Sequence, residues 1–141
     1  MFNSDLKLEG HVTVAINGEV VQEIPNLVVT SGKAYVTSRM KDTTKGAMSH
    51  MAVGTSNTAA AASDTTLGSE AGRVALTSST VSSNTITYVA TFAAGTGSGA
   101  LTEAGTLNAS SNGDLLCRTV FPVVNKGTSD SMTITWVITA S

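Results

Sequence analysis

Few side chains in this sequence are of a kind that does chemistry, and they are scattered. His11 and His50 are its only histidines and stand far apart, without a carboxylate nearby at ligand spacing. A metal centre draws on three or four converging ligands, so no metal site is expected. Cys117 is alone, which excludes an internal disulfide and a cysteine-based zinc site. To act as a nucleophile, Cys117, Ser49 or any of the threonines would need a base and an orienting group within hydrogen-bond reach. No Gly-x-Ser-x-Gly elbow occurs, and a lone Cys beside Leu115, Leu116 and Val120 reads as a small buried hydrophobe. Gly95-Thr96-Gly97-Ser98-Gly99 has the glycine content of a phosphate-binding loop but not the helix and Lys-Ser or Lys-Thr pair such a loop needs. Glu70 and Glu103 lack the acidic neighbour that paired-carboxylate chemistry requires. With Arg73 they suit a structural role, because a carboxylate that accepts backbone N–H bonds or pairs with arginine ties loops together at a sheet end. The basic stretch Lys33, Arg39, Lys41 and Lys45, with only Asp42 as counterweight, reads as a solvated helix face. The expectation is a protein without catalysis and without a cofactor.

The elements that would position these residues are strands. Ser and Thr fill 39 positions and only 18 residues are charged; the low charge and the regular spacing of Val, Ile, Leu and Thr favour pleated structure over disorder. Leu6, Leu8, Val12, Val14 and Ile16 alternate with polar residues as a half-buried strand. Asn17-Gly18 then signals a two-residue hairpin to a strand Glu19 to Ile24, which Pro25 should stop. Thr30-Ser31 should cap a helix over Lys33 to Lys41, with Tyr35, Val36 and Met40 inward. Further strands are expected at Ala47 to Val53, Arg73 to Ser79, Thr85 to Ala93, Leu101 to Asn108, Leu115 to Val120 (ended by Phe121-Pro122), and from Met132 to the end. The Ala-rich stretch 55–63 should form an ordered surface loop or a single turn. About eight strands with one short helix and no βα alternation indicate an all-β jelly roll or β-sandwich filling residues 1–141 as one domain, with a short N-terminal arm, 1–5.

A formal charge of −2 offers no basic footprint for nucleic acid. The start Met1-Phe2-Asn3-Ser4-Asp5 lacks the blocks of a signal peptide, and no apolar run approaches a membrane span, so no membrane partner is expected and synthesis should be cytoplasmic.

Set end to end, Asn26-Leu27-Val28-Val29-Thr30-Ser31-Gly32-Lys33, Met51-Ala52-Val53-Gly54-Thr55, Asp64-Thr65-Thr66-Leu67-Gly68-Ser69-Glu70-Ala71-Gly72-Arg73 and Glu103-Ala104-Gly105-Thr106-Leu107-Asn108 resemble small structural proteins of tailed phages. Two families share the pattern: jelly-roll capsid cement, or decoration, proteins and the attachment domains of tail-collar fibres. The stop at Ser141 directly after a strand, with no fibre shaft, favours cement. The resemblance implies a virion protein on the outside of an HK97-like shell that stabilises contacts between capsomers, with the major capsid protein as partner and a homodimer, or alternatively a trimer, on the shell. A tail adaptor and a carbohydrate-binding sandwich are the competing readings. Contact residues are then expected in the arm (Phe2, Asn3), the Ala-rich loop (Ser56, Asn57) and the Gly-rich loop (Gly97, Gly99).

Overall fold

The opening alternation becomes the first strand, β1 (Leu8–Ile16), in a computed structural model that describes residues 6–41 and 45–141. Asn17 and Gly18 take φ of 50° and 84°, the positive angles a tight hairpin demands, and the chain returns as β2 (Glu19–Val28). After the helix α1 (Thr30–Met40) come β3 (His50–Gly54), β4 (Glu70–Ala75), β5 (Ser78–Ser82), β6 (Thr85–Phe92), β7 (Gly99–Leu107), β8 (Leu115–Lys126) and β9 (Met132–Ala140). The nine strands are antiparallel in the order β4-β3-β7-β8-β2-β1-β9-β6-β5 and curl into a jelly-roll-like sandwich.

The main core lies between the two halves. Ile86, Tyr88, Ala90 and Phe92 of β6 face it as their alternation predicts, as do Met132, Ile134, Trp136 and Ile138 of β9. These two strands carry nearly the same heptapeptide, Thr-Ile-Thr-Tyr-Val-Ala-Thr at 85–91 and Thr-Ile-Thr-Trp-Val-Ile-Thr at 133–139. Because they run antiparallel, Thr85 lies opposite Thr139, Tyr88 opposite Trp136 and Thr91 opposite Thr133. The aromatic pair is thereby buried and a row of Thr and Val is left outside.

Two strands pass from one half of the sandwich to the other. β2 pairs with β1 from Glu19 to Asn26, then meets β8 only through Leu27 and Val28. Neither proline stops its strand, and hydrogen bonds show why. The Pro25 carbonyl accepts from the Thr119 hydroxyl at 2.8 Å and the Pro122 carbonyl from the Gln22 amide at 3.5 Å. A strand residue directs its N–H and C=O to the same side, so both missing N–H groups face the gap between β2 and β8, where no ladder is made. The second crossing splits the single strand expected at 73–79. Leu76 N–H still bonds Ser49 beside β3, whereas Thr77 N–H bonds Val89 of β6.

The helix starts earlier than the cap residues suggested, because its first turn finds partners elsewhere. Thr30 N–H donates to the Ala62 carbonyl and the Ser31 hydroxyl to that of Leu115. A side chain at Gly32 would lie 2.1 Å from the Leu116 carbonyl, so glycine allows the helix to seat on β8. Tyr35 points inward as expected, but Met40 does not: at the far end of the helix it is 79% exposed.

Candidate functional site

Glu103 sits on β7, completely buried, on the face of the sheet away from the main core. Its Oε1 accepts from Gly68 N–H at 2.7 Å, and its Oε2 from Ser56 N–H at 3.0 Å and Ser69 N–H at 2.7 Å. Arg118, on neighbouring β8 and also buried, adds Nε at 3.1 Å and a terminal nitrogen at 3.0 Å. The same guanidinium reaches Asp64 Oδ2 at 3.0 Å and the Thr58 carbonyl at 3.0 Å. A buried ion pair holds a structure together only when its remaining donors and acceptors are met, and here the backbone of residues 56–69 meets them.

The consequence is a platform. The Ala-rich stretch 55–63 is ordered, tied at Ser56 and Thr58 to the ion cluster, at Ala61 to Asp64, and at Ala62 to the start of α1. Leu67 anchors it from below in a second small core with Val29, Ala52, Leu107 and Leu115. Gly54 must be glycine, since an added carbon would stand 2.3 Å from the Ser69 carbonyl and 2.5 Å from Glu103 Oε2. What faces outward is small: Asn57, Thr58, Ala59, Ala61, Ala62 and Ser63 are exposed.

Two further ties fix the loops at the ends. Arg73 forms a two-pronged pair with Glu70, at 3.0 and 2.7 Å, and donates to the carbonyls of Ala109 and Asn112. Asp130 accepts from Gly127 N–H and from the Asn17 amide, joining the 127–131 turn to the β1–β2 hairpin. These bonds, the backbone N–H first, hold its carboxyl below the usual carboxylate range.

Among the residues first considered for chemistry, the sequence neighbours Ser49 and His50 are in contact. His11 is exposed and lies 3.6 Å from Glu23. His50 Nδ1 contacts the hydroxyl of its own neighbour, Ser49, at 2.8 Å. Cys117 is buried in the main core, and burial pushes its thiol up to about 12, so it is held as the unreactive form. Among the described residues no group of three or more His, Cys, Asp or Glu could hold a metal ion, and no helix is long and apolar enough to cross a membrane.

Of the expected contact residues, Asn57 and Gly99 are exposed and Ser56 is half-buried. Gly97 is buried: a side chain there would stand 2.9 Å from Val53, and its Cα lies 2.8 Å from where a side chain on Gly72 would begin. Its glycine therefore serves packing within the chain. Phe2 and Asn3 lie outside the described residues. Glu103 is legible as a structural acid in its Gly-rich setting, whereas Arg118 and Asp64 are not. A strand buried on both faces, as Leu115 to Thr119 is, loses the alternation that would have marked Arg118 as unusual. Comparison with protein families, curated proteins and solved structures finds no match for this chain.

Proposed function

We propose that this chain is a capsid cement protein of a tailed phage, seated on the outside of an HK97-like shell and holding adjacent capsomers together. The observation that carries the reading is the platform of residues 55–69. A small-residue surface permits close backbone approach to a partner, and the buried Glu103–Arg118 cluster fixes its shape before binding, which lowers the entropy lost on docking. A contact of modest strength, repeated over a shell, gains by multivalency. The resemblance, which spans about residues 26 to 126, supplies the virion, and the major capsid protein is the partner it implies.

The carbohydrate reading loses support from the same structure. Sugar sites present exposed aromatic faces, yet the aromatic residues among those described, Tyr35, Tyr88, Phe92, Phe121 and Trp136, are all buried, Trp136 completely.

Titration of purified protein onto HK97-like shells lacking a decoration protein tests the proposal. Saturable binding in hundreds of copies per particle, with a rise in the temperature at which shells disrupt, is the expected result. Binding of only a dozen or so copies at the tail would move the protein to the competing adaptor role, and no binding to any particle would sink the virion reading.

A further inference from the structure

A sheet edge is a row of unpaired N–H and C=O groups, and proteins that remain monomeric protect such edges with charges, prolines, bulges or covering loops. The free edges here are treated unequally. The flank of β2 carries Glu19, Glu23 and Pro25, with a bulge in its pairing to β1 between Val14 and Ala15. At one end of the sheet order, β4 bears the Glu70–Arg73 pair, and the backbone of Gly97 lies against Gly72. At the other end β5 has none of these devices. Ser78, Ser79, Thr80, Val81 and Ser82 are all exposed, Val81 at 72%, and among the described residues β6 is the one strand that pairs with them.

β5 also lies within a long uncharged run: from Val74 to Thr102 the sequence holds no Asp, Glu, Lys, Arg or His. Charge is what would forbid an edge from meeting its own copy, because in a two-fold contact each residue near the axis faces itself or a close neighbour. An uncharged strand of Ser, Thr and Val has no such conflict. We infer that β5 is a self-association seam, in which the β5 strands of two copies pair antiparallel about a two-fold axis at Thr80. Ser78 then faces Ser82 of the second copy, Ser79 faces Val81, and the outer Thr and Val rows of β6 and β9 continue across the joint. Five residues a side bury less than the roughly 1,000 Å² of a stable permanent interface, so the dimer is a concentration-dependent one.

The capsid reading already expects a homodimer; the inference adds where its seam lies, and since it concerns the isolated chain its test does not depend on shell binding. Sedimentation equilibrium of the whole chain, from micromolar to millimolar, is the test. Wild type should move from monomer to dimer. Thr80→Lys and Thr80→Glu each place like charges opposite one another at the axis and should weaken the dimer at least tenfold while leaving the far-ultraviolet circular dichroism unchanged. Mixing the two variants should restore a dimer containing one of each. Wild type that stays monomeric throughout, or forms a trimer, overturns the seam. So does a dimer indifferent to Thr80→Lys, or a mixture that fails to reassociate. Shell binding is read separately, so either proposal can fail while the other stands.

Discussion

Replacing Glu103 with glutamine preserves the volume of the side chain and removes its charge, which makes it the sharpest probe of the platform. The amide supplies one acceptor oxygen in place of two. If its NH2 takes the place of Oε1 it confronts Gly68 N–H and Arg118, and if it takes that of Oε2 it confronts the N–H groups of Ser56 and Ser69. Each buried backbone donor left unmet costs about 1–3 kcal/mol, and removing one partner of a buried ion pair costs about 3–5 kcal/mol. The two overlap here, and Asp64 remains beside Arg118, so about 4 kcal/mol is expected for the exchange. A chain of this length has roughly 7–20 kcal/mol of stability in total. A loss of that size lowers Tm by roughly 12–15 °C. Urea unfolding and calorimetry read the magnitude, and amide hydrogen exchange reads the place: Ser56, Gly68 and Ser69 should exchange faster by more than the amides of β9. The double variant Glu103→Leu with Arg118→Met should cost less than the sum of its singles, since it leaves no fully buried charge unpaired; Asp64, which loses Arg118, is a quarter exposed and keeps its bond from Ala61 N–H. A cost under about 1 kcal/mol for Glu103→Gln, or strict additivity in the double variant, would refute the argument that this cluster holds the loop.

Other consequences follow from the same packing. Cys117 has its proton held more tightly folded than unfolded, so its contribution is intact below the unfolded value of 9.0 and declines as pH rises toward about 12. Wild type should therefore lose Tm over that alkaline window by more than Cys117→Ala does, and a thiol reagent at pH 8 should label the chain only in denaturant; rapid labelling of native protein would contradict the burial. Asp130 has the opposite sign: its lowered carboxyl stabilises the fold above the unfolded carboxylate range and ceases to do so as pH falls through the folded value. Asp130→Asn should flatten the acid limb of a Tm-against-pH curve, and an unchanged limb would show that the 127–131 turn does not couple to folding. Gly54→Ala should destabilise by about 1–3 kcal/mol, the usual penalty of overpacking, whereas a neutral result in urea unfolding would mean that the Ser69 carbonyl moves aside freely.

Much of this architecture was legible because strand alternation is a local signal. β1, β6 and β9 face the main core on one side only, and their apolar residues fall at every second position as read. What escaped depends on partners distant in sequence. Pro25 and Pro122 break a strand only if their missing N–H groups would have met a neighbour, and the separation of β2 from β8 is a property of the assembled sandwich. The split of 73–79 into β4 and β5 has the same origin, since Leu76 and Thr77 are ordinary strand residues whose hydrogen bonds happen to point into different halves. At the platform, Glu103 stood out as an acid in a Gly-rich setting, and its structural role was foreseen. Arg118 and Asp64 were not, because a guanidinium placed between two covered faces leaves no periodic trace.

The two crossings have a mechanical meaning. Where β2 passes from β1 to β8, and where the chain turns at Leu76 and Thr77, the halves of the sandwich are joined through peptide bonds and not through ladders alone. A force that pries the halves apart is therefore carried along the backbone at both seams, whereas a force directed across the β5 edge meets only hydrogen bonds and can peel them one at a time. The molecule is stiff against being opened and yields most readily along that edge, so its resistance to load depends on the direction from which the load arrives.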